Sequence, residues 1–578
     1  MENTQVLFTS LKRMASIKHL VYFLAILFVS SCARPKSPSG GEKDEIAPKL
    51  VDVNPKSGTL NFKGTEIIMH FDEYVKLDKV KKELSITPRI NDDFEYKQNK
   101  ETIELSNLEL EDSTTYTFNF GNAVKDITEG NVAENMIVFF STGDYLDSLS
   151  INGSIKNLMT NVPISKATVA LYEVGDTLDI FTGKARYAIK TDEKGFYQFN
   201  NIKNGKYFVY AYNDKNKNQT CQSDKVEAFG FVSETLNLQE NVDSLHILIR
   251  SRNIKPLKML KAKASGKYFE VKFNKYLAKY DIKPLDTTKA IFSNTTDENH
   301  AIRIYNTLPI NDSLLVNLTA SDSVGQKIDS TFFLKFIESS RKAANFTSSI
   351  TKAKILPNEI FNGEITFSKP ITQIITDSLY FQYDSLTLEK IDTIADFSWN
   401  KNRTTLTIEK QLHSELFNAA IDTMKKDSIK AKPKKRVPGA GSFSSGKDAA
   451  RVTLYFGVQS FFSIDADTSK VMQKNLRFSK ENSFGIIKGT IQTDYKSYTI
   501  QLLTKKYELV TEQNNVKTFE FKNIDPSEYR IRILIDENEN GLWEMGDIKT
   551  LTKPEPIYHL EKIIPIRANW ETVENISF

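Results

Sequence analysis

The 578-residue chain offers few groups whose types and spacing could share a reaction. Its six histidines, His19, His70, His246, His300, His413 and His559, are scattered, and none stands at metal-ligand spacing from another. The sequence contains no Gly-x-Ser-x-Gly elbow, no Walker loop and no dinucleotide fingerprint. Cys221 lacks an adjacent basic partner and reads as a small, partly buried residue rather than a nucleophile. Neighbouring carboxylates such as Asp72 and Glu73 are ordinary on solvated turns and strand ends. The expectation is therefore no enzyme, with a cryptic hydrolase as the lesser alternative. One constellation could do chemistry, DENENGLWEMGD from Asp536 to Asp547. Oxygen-bearing side chains at alternate positions, a glycine for the sharp turn and an acid at the twelfth place could wrap a hard cation, and calcium is the one such a shell suits. Its ligands would be the side chains of Asp536, Asn538, Asn540 and Asp547 with the carbonyl of Leu542. The competing reading is an Asn/Asp-rich hairpin connection whose side chains cap their own backbone and hold no cofactor.

That spacing resembles the calcium loop of EF-hand and dockerin proteins. The sequence departs from the pattern in two ways. Asp547 replaces the longer bidentate glutamate, and the following IKTLTKPEPIYHL does not read as a helix. A similar stretch earlier in the chain has Asp214, Asn216 and Asn218, with Gln219 in the place of the glycine and Lys225 where the acid would stand.

The N-terminus carries chemistry of another kind. Lys12, Arg13, Lys18 and His19 precede an apolar run, Leu20 to Val29, of signal-peptide length and short for a bilayer span. Directly after it, Val29, Ser30, Ser31 and Cys32 resemble the lipobox of bacterial lipoproteins. The resemblance implies cleavage before Cys32 and lipid attached to its thiol; the alternative is an uncleaved anchor helix with an incidental cysteine. Residues 1–31 are then a signal peptide, with Met14 offering a second start, and residues 32–47, rich in Pro, Gly, Ser and charge, are a lipidated tether. With only two cysteines in the chain, lipidation of Cys32 leaves Cys221 no disulfide partner.

These features need a folded body to carry them. A chain this long exceeds one hydrophobic core, so several domains are expected. Hydrophobic residues make up 40% and charged residues 26%, the balance of a globular protein. A net charge of +4 over this length gives no field that would argue for nucleic acid. From Pro48 onward, short runs rich in Val, Ile, Phe, Tyr and Thr alternate with Gly, Asn, Asp and Pro, as in Glu66–Phe71, Thr115–Phe120 and Tyr529–Ile535. Helical periodicity is confined to short stretches such as Lys410–Ala420. The fold class is all-β, with tandem antiparallel β-sandwich domains.

Internal repeats divide the chain. FNNIKNGKYFVYAYNDKNKN at Phe199–Asn218 aligns without a gap to FKNIDPSEYRIRILIDENEN at Phe521–Asn540. Upstream strands at Ile151–Asn157 and Gly485–Gln492 complete both units, and in the first copy Asp192 and Gly195 would make a hairpin turn. This pattern resembles the carboxypeptidase-regulatory, or prealbumin-like, family of small sandwiches. Residues Pro48–Thr142, through IIMHFDEYV, TTYTFNFGNAVKDITEGN and VFFST, resemble the bacterial Ig-like domain of surface-layer proteins. Phe269–Leu277 and Gly363–Ile371 look like the same second strand in two degraded copies. The order is then Ig-like at 48–146, prealbumin-like at 147–253, Ig-like at 254–340, Ig-like at 341–482 with a basic disordered insertion at 425–447, and prealbumin-like at 483–578. Such a chain resembles the Ig-like lipoproteins of Bacteroidetes. The resemblance implies a non-catalytic scaffold, spacer or adhesion and assembly module, held by its lipid on the outer membrane with the facing side open. Its partner would be an envelope protein or glycan, and the alternative function is binding of carbohydrate or envelope polymer.

Overall fold

The structure is a computed structural model that describes residues 43–578 apart from 226, 310–311, 384–386, 414, 417–450 and 479–480. The expected signal peptide, the expected lipobox with Cys32, and the expected basic insertion at 425–447 lie outside the described residues. Among the described residues strands dominate, and Val80–Glu83 forms a single α-helical turn. No helix among the described residues is long and apolar enough to cross a membrane. The chain divides into two compact units, one ending at Leu146 and one beginning at Asp147.

In the first unit, Leu50–Asn54, Ile67–Phe71, Thr102–Ser106 and Glu95–Asn99 form one sheet in that order. Ser85–Thr87, Thr115–Asn119 and Ile137–Ser141 form the facing sheet, and Val75–Leu77 pairs with Val124–Asp126 in a small third one. Alternation sends Ile67, Met69 and Phe71 inward from one sheet to meet Phe118 and Phe140 of the other. Asp126 fixes the loop that follows. Its carboxylate accepts from the N–H groups of Glu129, Gly130 and Asn131 within 2.7–2.9 Å. Burial alone would raise its pKa, but those bonds outweigh it and hold the carboxyl below its ordinary value. The Asp-to-Asn stretch of the Ig-like pattern is thus a structural staple.

Among the described residues the second unit holds four sandwich cores, over residues 151–249, 257–336, 355–476 and 487–576, and a further buried cluster around Tyr172, Tyr212 and Cys221. The first and last of the four are the two repeats. In one, Leu149–Asn157 pairs antiparallel with Phe196–Ile202 and parallel with Ile247–Ser251. In the other, Gly485–Gln492 pairs antiparallel with Thr518–Ile524 and parallel with Glu571–Val573. Ile151 faces Phe199 as Ile487 faces Phe521, and each first strand carries the same register shift one step earlier. Phe199, Ile202 and Tyr207 are buried, as are Phe521, Ile524 and Tyr529. Both tyrosines donate to a carbonyl four residues back, Tyr207 to Lys203 at 2.8 Å and Tyr529 to Asp525 at 2.7 Å. In the first copy Gly195 takes φ 76°, closing the turn in which Asp192 caps the N–H groups of Lys194 and Phe196.

The helical reading of Lys410–Ala420 is corrected at its start. Lys410 and Gln411 end the strand Thr405–Gln411, whose Leu406 and Ile408 alternate into a core opposite Ile360–Phe367. Periodicity over so few residues does not separate helix from strand. Cys221 is buried rather than partly buried, and burial pushes its thiol pKa up, with Glu227 and Asp214 adding to the effect.

Candidate functional site: two matched acidic loops

Both repeats send their long central strand, Gly205–Tyr212 or Ser527–Ile535, into a polar loop. The Asp and Asn caps of the two loops match in position. Asp536 accepts from the N–H of Asn540 at 3.1 Å and of Gly541 at 2.8 Å, and Asp214 accepts from Asn218 at 3.1 Å and Gln219 at 2.9 Å. Asn538 caps Asn540 and Asn540 caps Leu542; Asn216 caps Asn218 and Asn218 caps Thr220. The Asn538 amide reaches Glu544 at 2.9 Å, and the Asn216 amide reaches Gln222 at 3.0 Å. Gln219 occupies the backbone position of Gly541, at φ 63° against 87°, so a side chain is carried where glycine is natural.

The acid that closes each loop escaped the sequence reading. Glu555, 7% exposed, takes the N–H of Asn538 on one oxygen at 3.2 Å and that of Glu544 on the other at 2.7 Å. Glu227, 1% exposed, takes Lys215 and Asn216 on one oxygen, and Gln222 on the other at 2.7 Å. A signal was available, since each glutamate stands immediately before the next strand or one residue short of it. It was hidden by unequal spacing: Gln222 precedes Glu227 by 5 residues, whereas Glu544 precedes Glu555 by 11, so the second copy carries six more.

Of the expected calcium ligands, Asp536, Asn538 and Asn540 are brought together. Asp547 belongs to a separate turn, where its carboxylate accepts from the N–H of Lys549 at 3.0 Å and its backbone bridges Thr552. Leu542 is exposed at the loop tip. Among the described residues, no three His, Cys, Asp or Glu side chains group as a metal shell would. In these bonds the loop's side chains cap its own backbone. Asp536 also accepts from the Ser497 hydroxyl at 2.7 Å. Burial would raise its carboxyl pKa, but that bond and the loop N–H groups outweigh it, so the group stays below its ordinary value.

A second feature lies where the core of 257–336 meets that of 355–476. A cleft of about 540 Å³ is lined chiefly by amide and hydroxyl side chains, including Asn294, Thr296, Asn345, Ser368 and Asn402, with Arg303. Asn294 donates to the Ser368 carbonyl at 3.0 Å and Asn402 to the Tyr280 hydroxyl at 3.0 Å, joining the two bodies.

Residues 44–142 match the family model described as a bacterial Ig-like domain. No curated protein matches the chain. Among solved structures, the chain is similar to BcpA, the major pilin subunit of Bacillus cereus, at 10% identity over 74% of this chain and 98% of that one, with a TM-score of 0.12. It is similar to native E. coli alpha-2-macroglobulin at 8% identity over 85% of this chain and 42% of that one, TM-score 0.13. It is also similar to the Bacteroides ovatus glucan-locus protein SGBP-B, in complex with a mixed-linkage heptasaccharide, at 9% identity over 73% and 95%, TM-score 0.13. At such scores the fold statement rests on the sheets themselves. They define a protein of tandem antiparallel β-sandwiches, of which the one at residues 44–142 matches the bacterial Ig-like domain.

Proposed function

We propose that the chain is a non-catalytic lipoprotein of the cell envelope of a Bacteroidetes-like bacterium, anchored by lipid on Cys32 to the outer membrane and acting as a scaffold, spacer or assembly module. The observation that carries the scaffold reading is the use of polar chemistry across the second unit to join bodies to one another. Lys354 pairs with Asp525 at 3.2 Å, and buried Lys369 pairs with Asp465, which also takes the Tyr268 hydroxyl. The two repeats are read as prealbumin-like modules and the bodies between them as degraded Ig-like ones. Cys32→Ala tests the anchor: the variant should leave the membrane fraction or persist as unprocessed precursor, because the thioether cannot form. Wild-type size and membrane yield in that variant would sink the anchor.

The polar cleft beside Asn294 and Asn402 favours a second reading, binding of a neutral carbohydrate or envelope polymer, since amides and hydroxyls suit such a ligand. A glycan array with the soluble chain distinguishes the two: binding lost in Asn345→Ala supports this reading, and no bound glycan leaves the scaffold.

A further inference from the structure

The central sheet of the first repeat is buried on both faces. Val169, Leu171, Tyr207 and Val209 enter the sandwich core, while Ala170, Tyr172, Tyr210 and Tyr212 point the other way into a second cluster with Cys221 and Phe229. Unbroken apolar runs such as VALY and FVYAY have this meaning, for one covered face would need only alternation. The second cover comes from the far end of the chain. Ile548, 8% exposed, and Leu551 pack into this aromatic cluster. Both belong to the stretch that makes the second acidic loop six residues longer than the first.

Polar contacts frame the same junction. The Arg252 guanidinium donates at 3.0 Å to the carbonyls of both Met545 and Gly546, and Arg250 lies 6.0 Å from the Trp543 ring. Arg532 donates at 2.8 Å to the Met159 carbonyl while two of its other nitrogens hold Gln501. His559 meets the Leu158 carbonyl at 3.2 Å. Successive bodies of this unit also touch, so contacts run along the chain and then from its last body back to its first.

We propose that residues 543–553 are an intramolecular latch, and that the outer aromatic face of the first repeat is the surface built to receive it. The longer loop of the second copy is what distinguishes it from the first, and those extra residues supply the apolar side chains and bare carbonyls that the face binds. Docking turns four sandwiches that would otherwise hinge in series into one closed body. This holds whether or not the chain serves as a scaffold.

Cys221 makes the latch measurable. In the full chain carrying Cys32→Ala it is the sole thiol, and it belongs to the cluster that Ile548 covers. Two variants open the latch: Ile548→Asp combined with Leu551→Asp, and a shortening of the Glu544–Glu555 connection to the length used by the first copy. Each should keep its strand signal in circular dichroism, raise the radius of gyration and speed modification of Cys221 by a thiol reagent about tenfold or more. The first copy closes its own loop at the shorter length, so the second variant gives a folded test if the charged one misfolds. Parent-like thiol reactivity and radius in a folded variant would overturn the proposal.

Discussion

Lys369 donates to Asp465 across 2.7 Å from a side chain with no exposed surface. Asp467 is its second partner, and Asp465 also accepts from the Tyr268 hydroxyl at 2.6 Å, so the carboxylate that holds the ammonium links its body to the neighbouring one. Burial would lower the lysine's pKa, but the bonds to both carboxylates outweigh it and hold it above its ordinary value. A raised folded pKa contributes stability that is complete below the unfolded value, 10.5, and is lost as pH rises through the folded one. Lys369→Ala leaves two carboxylates facing each other and should cost about 3 kcal/mol. Asp465→Asn keeps a partner for Tyr268 and leaves Asp467 to neutralise the lysine, so about 1 kcal/mol is expected. Calorimetry of the two variants checks the order, and a larger loss for Asp465→Asn would contradict it.

Gln219 sits at φ 63° where the matched loop has Gly541. Removing its Cβ relieves left-handed strain, and the added freedom of glycine in the unfolded chain offsets part of the gain. Gln219→Gly should stabilise the first repeat by about 0.5–1 kcal/mol, and Gly541→Gln should destabilise the second by at least as much. A loss on Gln219→Gly, or no loss on Gly541→Gln, in a denaturant titration would show that the loops are not equivalent.

The repeats were legible because Phe199, Ile202 and Tyr207 recur at one offset in Phe521, Ile524 and Tyr529, and like spacing within a strand enforces a like face. Asp214 and Asp536 were legible for the same reason. Glu227 and Glu555 were not, since the longer connection breaks the offset that links them. The partners that Arg252 and Arg532 find across the junction were beyond reach for another reason: they are backbone carbonyls, which every residue has, on chain 293 and 373 residues away. Ion pairs such as Lys369 with Asp465 look in sequence like any two surface charges.

His559 gives the junction between the repeats a pH dependence. Burial, joined by the positive charge of Arg532, holds its imidazole below its ordinary value against the opposing pull of the Leu158 carbonyl. A depressed folded pKa means the closed form binds protons less readily than the open one. Its contribution is present above the unfolded value of 6.5 and is lost as pH falls through the folded one. Scattering should therefore report a larger radius at pH 5 than at pH 7.5, and His559→Gln should flatten the difference. An unchanged radius in the parent over this range would remove His559 as its cause.

Calcium offers the sharpest test of the acidic loops. The oxygens of Asp536, Asn538 and Asn540 already accept backbone N–H groups, and Asp547 is committed to its own turn. An ion that binds only the folded state would raise the melting temperature by mass action. For a loop capped by its own backbone, melting in calcium and in chelator should coincide, for the parent and for Asp547→Ala alike. Glu555→Ala, by contrast, strands the N–H groups of Asn538 and Glu544 and should cost about 1–3 kcal/mol in both conditions. A calcium-dependent rise that vanishes in Asp547→Ala would instead establish the twelve-residue ion loop, with Asp547 swinging in to join Asp536.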